Sequence, residues 1–170
     1  MENRIQNQII RIEGELILEV YEKFIDSFNK IPLDRNITVY ISSEGGDLWI
    51  GEEILDVLNT HKDNIELVVS AQVSSGAFEV AYKFKGKKRV LPGSMSVLHL
   101  YTDTFKYREL LKKNSYARWS KDVCLVRVIK EFNKMIETFL TKDEIKRINK
   151  GEDLYIHTDR LSEILMNTYE

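Results

Sequence analysis

Two runs of β-branched and apolar residues, Ile37 to Ile41 and Ile65 to Ser70, each give way to a cluster of small side chains and then to apolar residues at helical spacing. A chain carrying that order twice is an alternating α/β chain, because period-2 segments pair into a sheet and the following helices must bury their apolar stripe against it. In the first instance Ile37-Thr38-Val39-Tyr40-Ile41 runs into Ser42-Ser43-Glu44-Gly45-Gly46, whose glycines permit backbone angles that other residues resist. From Asp47 onward Ile50, Ile54, Leu55 and Leu58 recur as on one helix face. In the second, the run from Ile65 is apolar enough to be a central strand, and Ala71-Gln72-Val73-Ser74-Ser75-Gly76-Ala77-Phe78 lets the backbone turn tightly into a helix reaching about Phe84.

The flanking sequence extends the pattern. Ile9 to Ile12 reads as a first strand, and after Gly14 a helix follows with Leu16, Val20, Phe24 and Phe28 four apart. Two short strands, Arg89-Val90-Leu91 and Met95 to Leu100, are separated by Pro92-Gly93-Ser94. A long charged helix is expected from Phe105 to Leu140, with Trp119, Val123, Val126, Ile129, Phe132, Ile136 and Leu140 on one stripe. A shorter helix, Lys142 to Asn149, has a Thr141 cap with Glu144 three residues on, and Gly151 ends it. The tail runs from Asp153 to His157, with a last helix from about Asp159. With 170 residues, two prolines and no internal repeat, linker or low-complexity tract, the expectation is a single domain over residues 1–170.

Composition narrows the function classes. Against 25 basic side chains stand 27 acidic ones, so there is no basic field to hold nucleic acid by its phosphates. The single cysteine, Cys124, rules out an intramolecular disulfide framework and suits a reducing compartment. No apolar run approaches the ~20 residues of a membrane span, mean hydropathy is −0.31, and the start Met1-Glu2-Asn3-Arg4 lacks a secretory pattern. A cytoplasmic protein with no membrane span is expected.

The chemistry-bearing candidates sit at the junctions. Ser74 stands where a strand gives way to a helix, so its hydroxyl can project from the carboxyl end of the sheet with helix amides behind it; it reads equally as a capping serine, as does Ser75. His99 closes the apolar strand Ser96-Val97-Leu98 and can serve as a general base or as a half-buried structural histidine. His61 and His157 read as solvated loop residues. Gly45-Gly46 is either a tight turn or a place where two backbone amides approach a substrate oxygen. The segment Ser43 to Asp47 lacks a P-loop lysine and the third glycine of a dinucleotide fingerprint, and position 72 is glutamine, so Gly-x-Ser-x-Gly is absent too. No His-Glu-x-x-His or Cys/His cluster suggests a metal, and no organic cofactor is expected.

The order of these elements resembles the proteolytic subunit of the Clp protease family. Tyr40-Ile41-Ser42-Ser43-Glu44-Gly45-Gly46-Asp47 is similar to its Tyr-Ile-Asn-Ser-Pro-Gly-Gly-Ser segment, and Ser74-Ser75-Gly76-Ala77-Phe78 to its Ser-Met-Gly-Ala-Phe. Lys85-Gly86-Lys87-Lys88-Arg89 and Leu91-Pro92-Gly93-Ser94 resemble Lys-Gly-Lys-Arg and Leu-Pro-Asn-Ser, and Ser74 and His99 keep the family spacing of 25 positions. The resemblance implies a Clp/crotonase-type α/β fold, a spiral of twisted β-sheet with flanking helices and a long handle helix over about 102–141. It implies a serine endopeptidase in which Ser74 is the nucleophile, His99 the base and Asp153, beside Glu152, the orienting carboxylate. The backbone N–H groups of Gly46 and Ser75 would form the oxyanion hole. An extended polypeptide substrate would lie along Gly45, Gly46, Leu100 and Tyr101.

By the same resemblance the chain forms a homo-oligomer of stacked seven-membered rings. Only about eight residues precede the first strand, where the family has a longer segment that helps dock an ATP-driven unfoldase. That partnership is therefore the least supported of the family's properties here. Glu44 in place of the family's proline, and Leu100-Tyr101 in place of its Gln-Pro, alter the groove. Two rival readings use the same fold: an inactive ring or assembly subunit, and a crotonase-type acyl-CoA enzyme.

Overall fold

The computed structural model describes residues 8–32, 34–99 and 130–167. The chain divides into two compact units, Met1–Leu98 with Tyr155–Glu170, and His99–Leu154. The first unit holds β1 (Gln8–Glu13), α1 (Leu18–Phe28), β2 (Ile37–Ser43), α2 (Leu48–Thr60), a 3-10 turn (Lys62–Asn64), β3 (Ile65–Val73), α3 (Gly76–Lys83), β4 (Lys87–Val90) and β5 (Met95–Leu98). The second contributes α4 (Lys142–Asn149), after which come β6 (Leu154–His157) and α5 (Thr158–Met166).

The six strands form one sheet in the order β1-β2-β3-β5-β6, with β4 paired to β3 off that path. β2 is parallel to both β1 and β3, and β3 is parallel to β4 and β5. Parallel strands need crossover helices, which cover them and exclude water, so β2 is buried at five of its seven positions. Phe24 of α1, Ile54 and Leu58 of α2, and Phe78 of α3 pack into this interior with Ile12, Ile41 and Leu67 of the strands, each at most 1% exposed. Thr158 Oγ1 donates to the Ser94 carbonyl at 2.8 Å, tying the first turn of α5 to the segment entering β5.

β3 serves two neighbours on one side. Its first part pairs with β4 from Glu66↔Lys87 to Val69↔Val90, and its end pairs with β5 at Gln72↔Met95. Between them the register against β2 slips: Ile41 faces Val69, but Ser43 faces Val73, so four steps of β3 span two of β2. Ala71, in the middle, has φ 142, a backbone angle that a side chain resists. This bulge redirects the strand end that delivers Ser74.

Most sequence expectations agree with these elements to within a few residues. Leu16 is an exception: rather than opening α1, it is fully buried in a lone parallel bridge to Gly46, and the helix starts at Leu18. Tertiary pairing overrides the four-residue periodicity there. The strand expected to run from Met95 to Leu100 ends at Leu98, with Leu100 outside the described residues.

Most of the expected Phe105–Leu140 helix lies outside the described residues. Its far end is helical over 130–136, with Phe132, Met135 and Ile136 buried, and then turns toward Thr141. Thr141 and Glu144 form the reciprocal capping box read from the sequence: Glu144 N–H donates to Thr141 Oγ1 at 3.3 Å, and Thr141 N–H donates to Glu144 Oε2 at 2.9 Å. Gly151, at φ +86, follows the end of α4.

Candidate active site

The carboxyl ends of β2 and β3 lie side by side, which is where open α/β sheets hold their ligands. Ser74 N–H donates to the Ser43 carbonyl at 3.0 Å and carries the β2–β3 pairing one residue past the strand. Ser43 Oγ accepts from Gly45 N–H at 3.1 Å, which folds the chain back over its own end. Gly45, at φ +105, then presses on the start of α3: a Cβ there would stand 2.6 Å from Ser75 Cβ and 2.7 Å from the Ser74 carbonyl oxygen. No residue but glycine fits.

Gly46 continues the same edge. Leu16 N–H donates to the Gly45 carbonyl at 2.7 Å and Asp47 N–H donates to the Leu16 carbonyl at 2.8 Å. In a parallel bridge these flanking groups carry the bonds, so Gly46's own N–H and carbonyl take no part in the pairing with Leu16. The Gly46 oxygen lies 3.7 Å from where a Cβ on Gly76 would stand. Neither the Gly46 nor the Ser75 N–H donates to a protein group among the described residues. Asp47 then caps α2, accepting from Trp49 N–H at 2.8 Å.

The turn from β3 into α3 carries its strain at Ser75, whose φ is 51 and ψ −129. Ser75 occupies the N-cap position of α3, with no capping bond from its side chain. Ser74 does not cap through its side chain either; its carbonyl accepts from Ala77 N–H at 3.0 Å. The Ser74 hydroxyl is engaged differently. Gln72 Nε2 donates to Oγ at 2.9 Å, and Val97 N–H of β5 donates to the same oxygen at 2.9 Å. The residue is 3% exposed. By sequence motif alone Gln72 marks only the absence of Gly-x-Ser-x-Gly. Its i, i+2 spacing from Ser74, which puts both side chains on one strand face, is the signal that identifies it.

The other expected site residues lie in the second unit or outside the described residues. His99 is half-buried and follows β5; it is the first residue of its unit. Asp153 is exposed and immediately precedes β6. Leu100 and Tyr101 lie outside the described residues. Of the remaining histidines, His61 is not simply solvated: it follows α2 and its ring lies 5.0 Å from that of Phe28. His157 is exposed but ends β6 rather than sitting in a loop. A shallow cleft of about 660 Å³ between the Pro92–Gly93 turn and residues 155–160 contains neither glycine of the pair nor either serine.

The Clp protease family matches residues 1–109 of the chain. Among solved structures, a point mutant of ClpP1 from Listeria monocytogenes superposes with a TM-score of 0.68 at 19% sequence identity, covering 94% of this chain and 88% of that one. At that identity the superposition speaks for the fold.

Proposed function

Since the chain belongs to the Clp protease family, we propose that it is a serine endopeptidase hydrolysing extended polypeptides, with Ser74, His99 and Asp153 as its triad. The observation that carries this reading is the junction of Gly45-Gly46 with Ser74-Ser75, where a serine hydroxyl at the end of a sheet stands in a turn with two backbone amides that donate to no protein group among the described residues.

In this reading Ser74 Oγ attacks the scissile carbonyl carbon as its proton passes to His99. The carbonyl oxygen becomes an oxyanion and accepts from Gly46 and Ser75 N–H. His99 returns the proton to the leaving amine, the C–N bond breaks, and an acyl ester remains on Ser74. Water, deprotonated by His99, hydrolyses that ester. Asp153 holds the imidazole tautomer and offsets the charge of the imidazolium. The peptide backbone adds itself as a strand along Gly45-Gly46 and Leu100-Tyr101, in a homo-oligomeric ring.

The test is a fluorophosphonate. The protein should gain one adduct, located by peptide mapping on Ser74, and should cleave casein; Ser74→Ala should do neither, and native mass spectrometry should show a ring. Adduct on Ser75 alone would move the nucleophile. Absence of adduct and cleavage in the assembled particle would favour the inactive-subunit reading, for which the burial of Ser74 is the specific observation.

A further inference from the structure

We propose that Gln72 is a gate on the Ser74 hydroxyl, holding it in a non-attacking state that substrate must open. The inference rests on Ser74 being the nucleophile and adds a residue that governs when it acts.

A serine hydroxyl has one proton and two lone pairs. To attack a carbonyl carbon, the oxygen must donate its proton to the base and keep one lone pair free for the new bond. Here both lone pairs accept hydrogen bonds, from Gln72 Nε2 and from Val97 N–H, each at 2.9 Å. The oxygen is thus solvated twice over by the protein and buried with its residue at 3% exposure. One donor has to leave before attack.

The two donors differ in freedom. The Val97 amide belongs to β5, fixed by its pairing with the end of β3. The Gln72 amide sits on three rotatable bonds beyond its Cα and is only half-buried, so side-chain rotation releases it without moving a strand. The Ala71 bulge keeps it in place at rest: by re-registering β3 it puts Gln72 opposite Met95 and two residues before Ser74, on the nucleophile's own face. A peptide that lays its carbonyl against Oγ enters the space the amide must vacate. Gln72 is accordingly a positioning residue that acts through Ser74, with no bond to substrate of its own.

The experiment compares full-length wild type, Gln72→Met, Gln72→Ala and Ser74→Ala for the second-order rate of fluorophosphonate labelling, for kcat and KM on a short peptide ester, and for melting temperature. Gln72→Met keeps length and volume and deletes the donor, so labelling and kcat should rise roughly three- to ten-fold, the factor one neutral hydrogen bond carries, with KM unchanged and the melting temperature no higher than that of wild type. Gln72→Ala should follow it, which separates lost donation from altered packing. Labelling of wild type and Gln72→Met at equal rates, or slower labelling of Gln72→Met, overturns the gate and leaves the nucleophile standing. Failure of wild type and both Gln72 variants to label overturns the nucleophile, and the gate with it.

Discussion

At the scale of single residues, Ser74 has a structural duty beside its proposed one. Its oxygen is the acceptor for the Val97 amide, so replacing it does more than remove the proposed nucleophile. Ser74→Ala should fold but lose about 1 kcal/mol of stability, because a part-buried N–H is left without its acceptor; the midpoint of urea unfolding measures this. An unchanged midpoint would show that water or another group takes over the amide. Gly45 has a sharper constraint. An added methyl would collide with backbone and Cβ of the Ser74-Ser75 turn at under 3 Å, at a φ of +105, so Gly45→Ala should cost more than about 2 kcal/mol and any labelling of Ser74 should fall with it. The glycine pair and Ser74 were legible in the sequence because they follow strand-like runs. The Val97 contact was not, since nothing local to Val97 tells which acceptor its amide meets from a strand more than twenty positions away.

At the scale of elements, the bulge in β3 orders the site. Ala71 adopts a backbone angle that glycine takes with less strain, so Ala71→Gly should stabilise the protein by about 0.5–1 kcal/mol despite greater freedom in the unfolded chain. Loss of stability would show that the entropy of glycine outweighs relief of strain. Strands and helices with strong periodicity were readable: α2 begins after Asp47 and α4 after the Thr141 box, because capping is a short-range matter of one side chain and one amide. What escaped was non-local. Leu16 continues an apolar helical spacing yet is claimed by Gly46, and the slip between β2 and β3 has no residue type that announces it. Both depend on partners that meet only when the sheet forms.

At the scale of the whole molecule, stability should respond to alkaline pH through Lys88 of β4. It is 3% exposed, its Nζ donates to the Tyr82 carbonyl at 2.8 Å, and burial penalises its charged form, lowering its pKa from 10.5 to about 8. Below pH 8 the ammonium is charged in both folded and unfolded chains, and the folded protein bears the cost of burying it. Between pH 8 and 10.5 the unfolded chain binds more protons than the folded one, so this group's contribution to stability rises with pH, by roughly 3 kcal/mol at most. Lys88→Met should flatten that rise relative to wild type in urea titrations at pH 7, 9 and 10.5. Equal slopes would place the ammonium in a solvated setting. No helix among the described residues is long and apolar enough to cross a membrane. The first unit is interrupted in sequence, its last strand and helix coming from the far side of residues 99–154. A ribosome making the chain in order therefore emits the serine turn early but withholds the last strand and helix until the intervening codons have all been read, so the first unit can close only when synthesis is nearly complete.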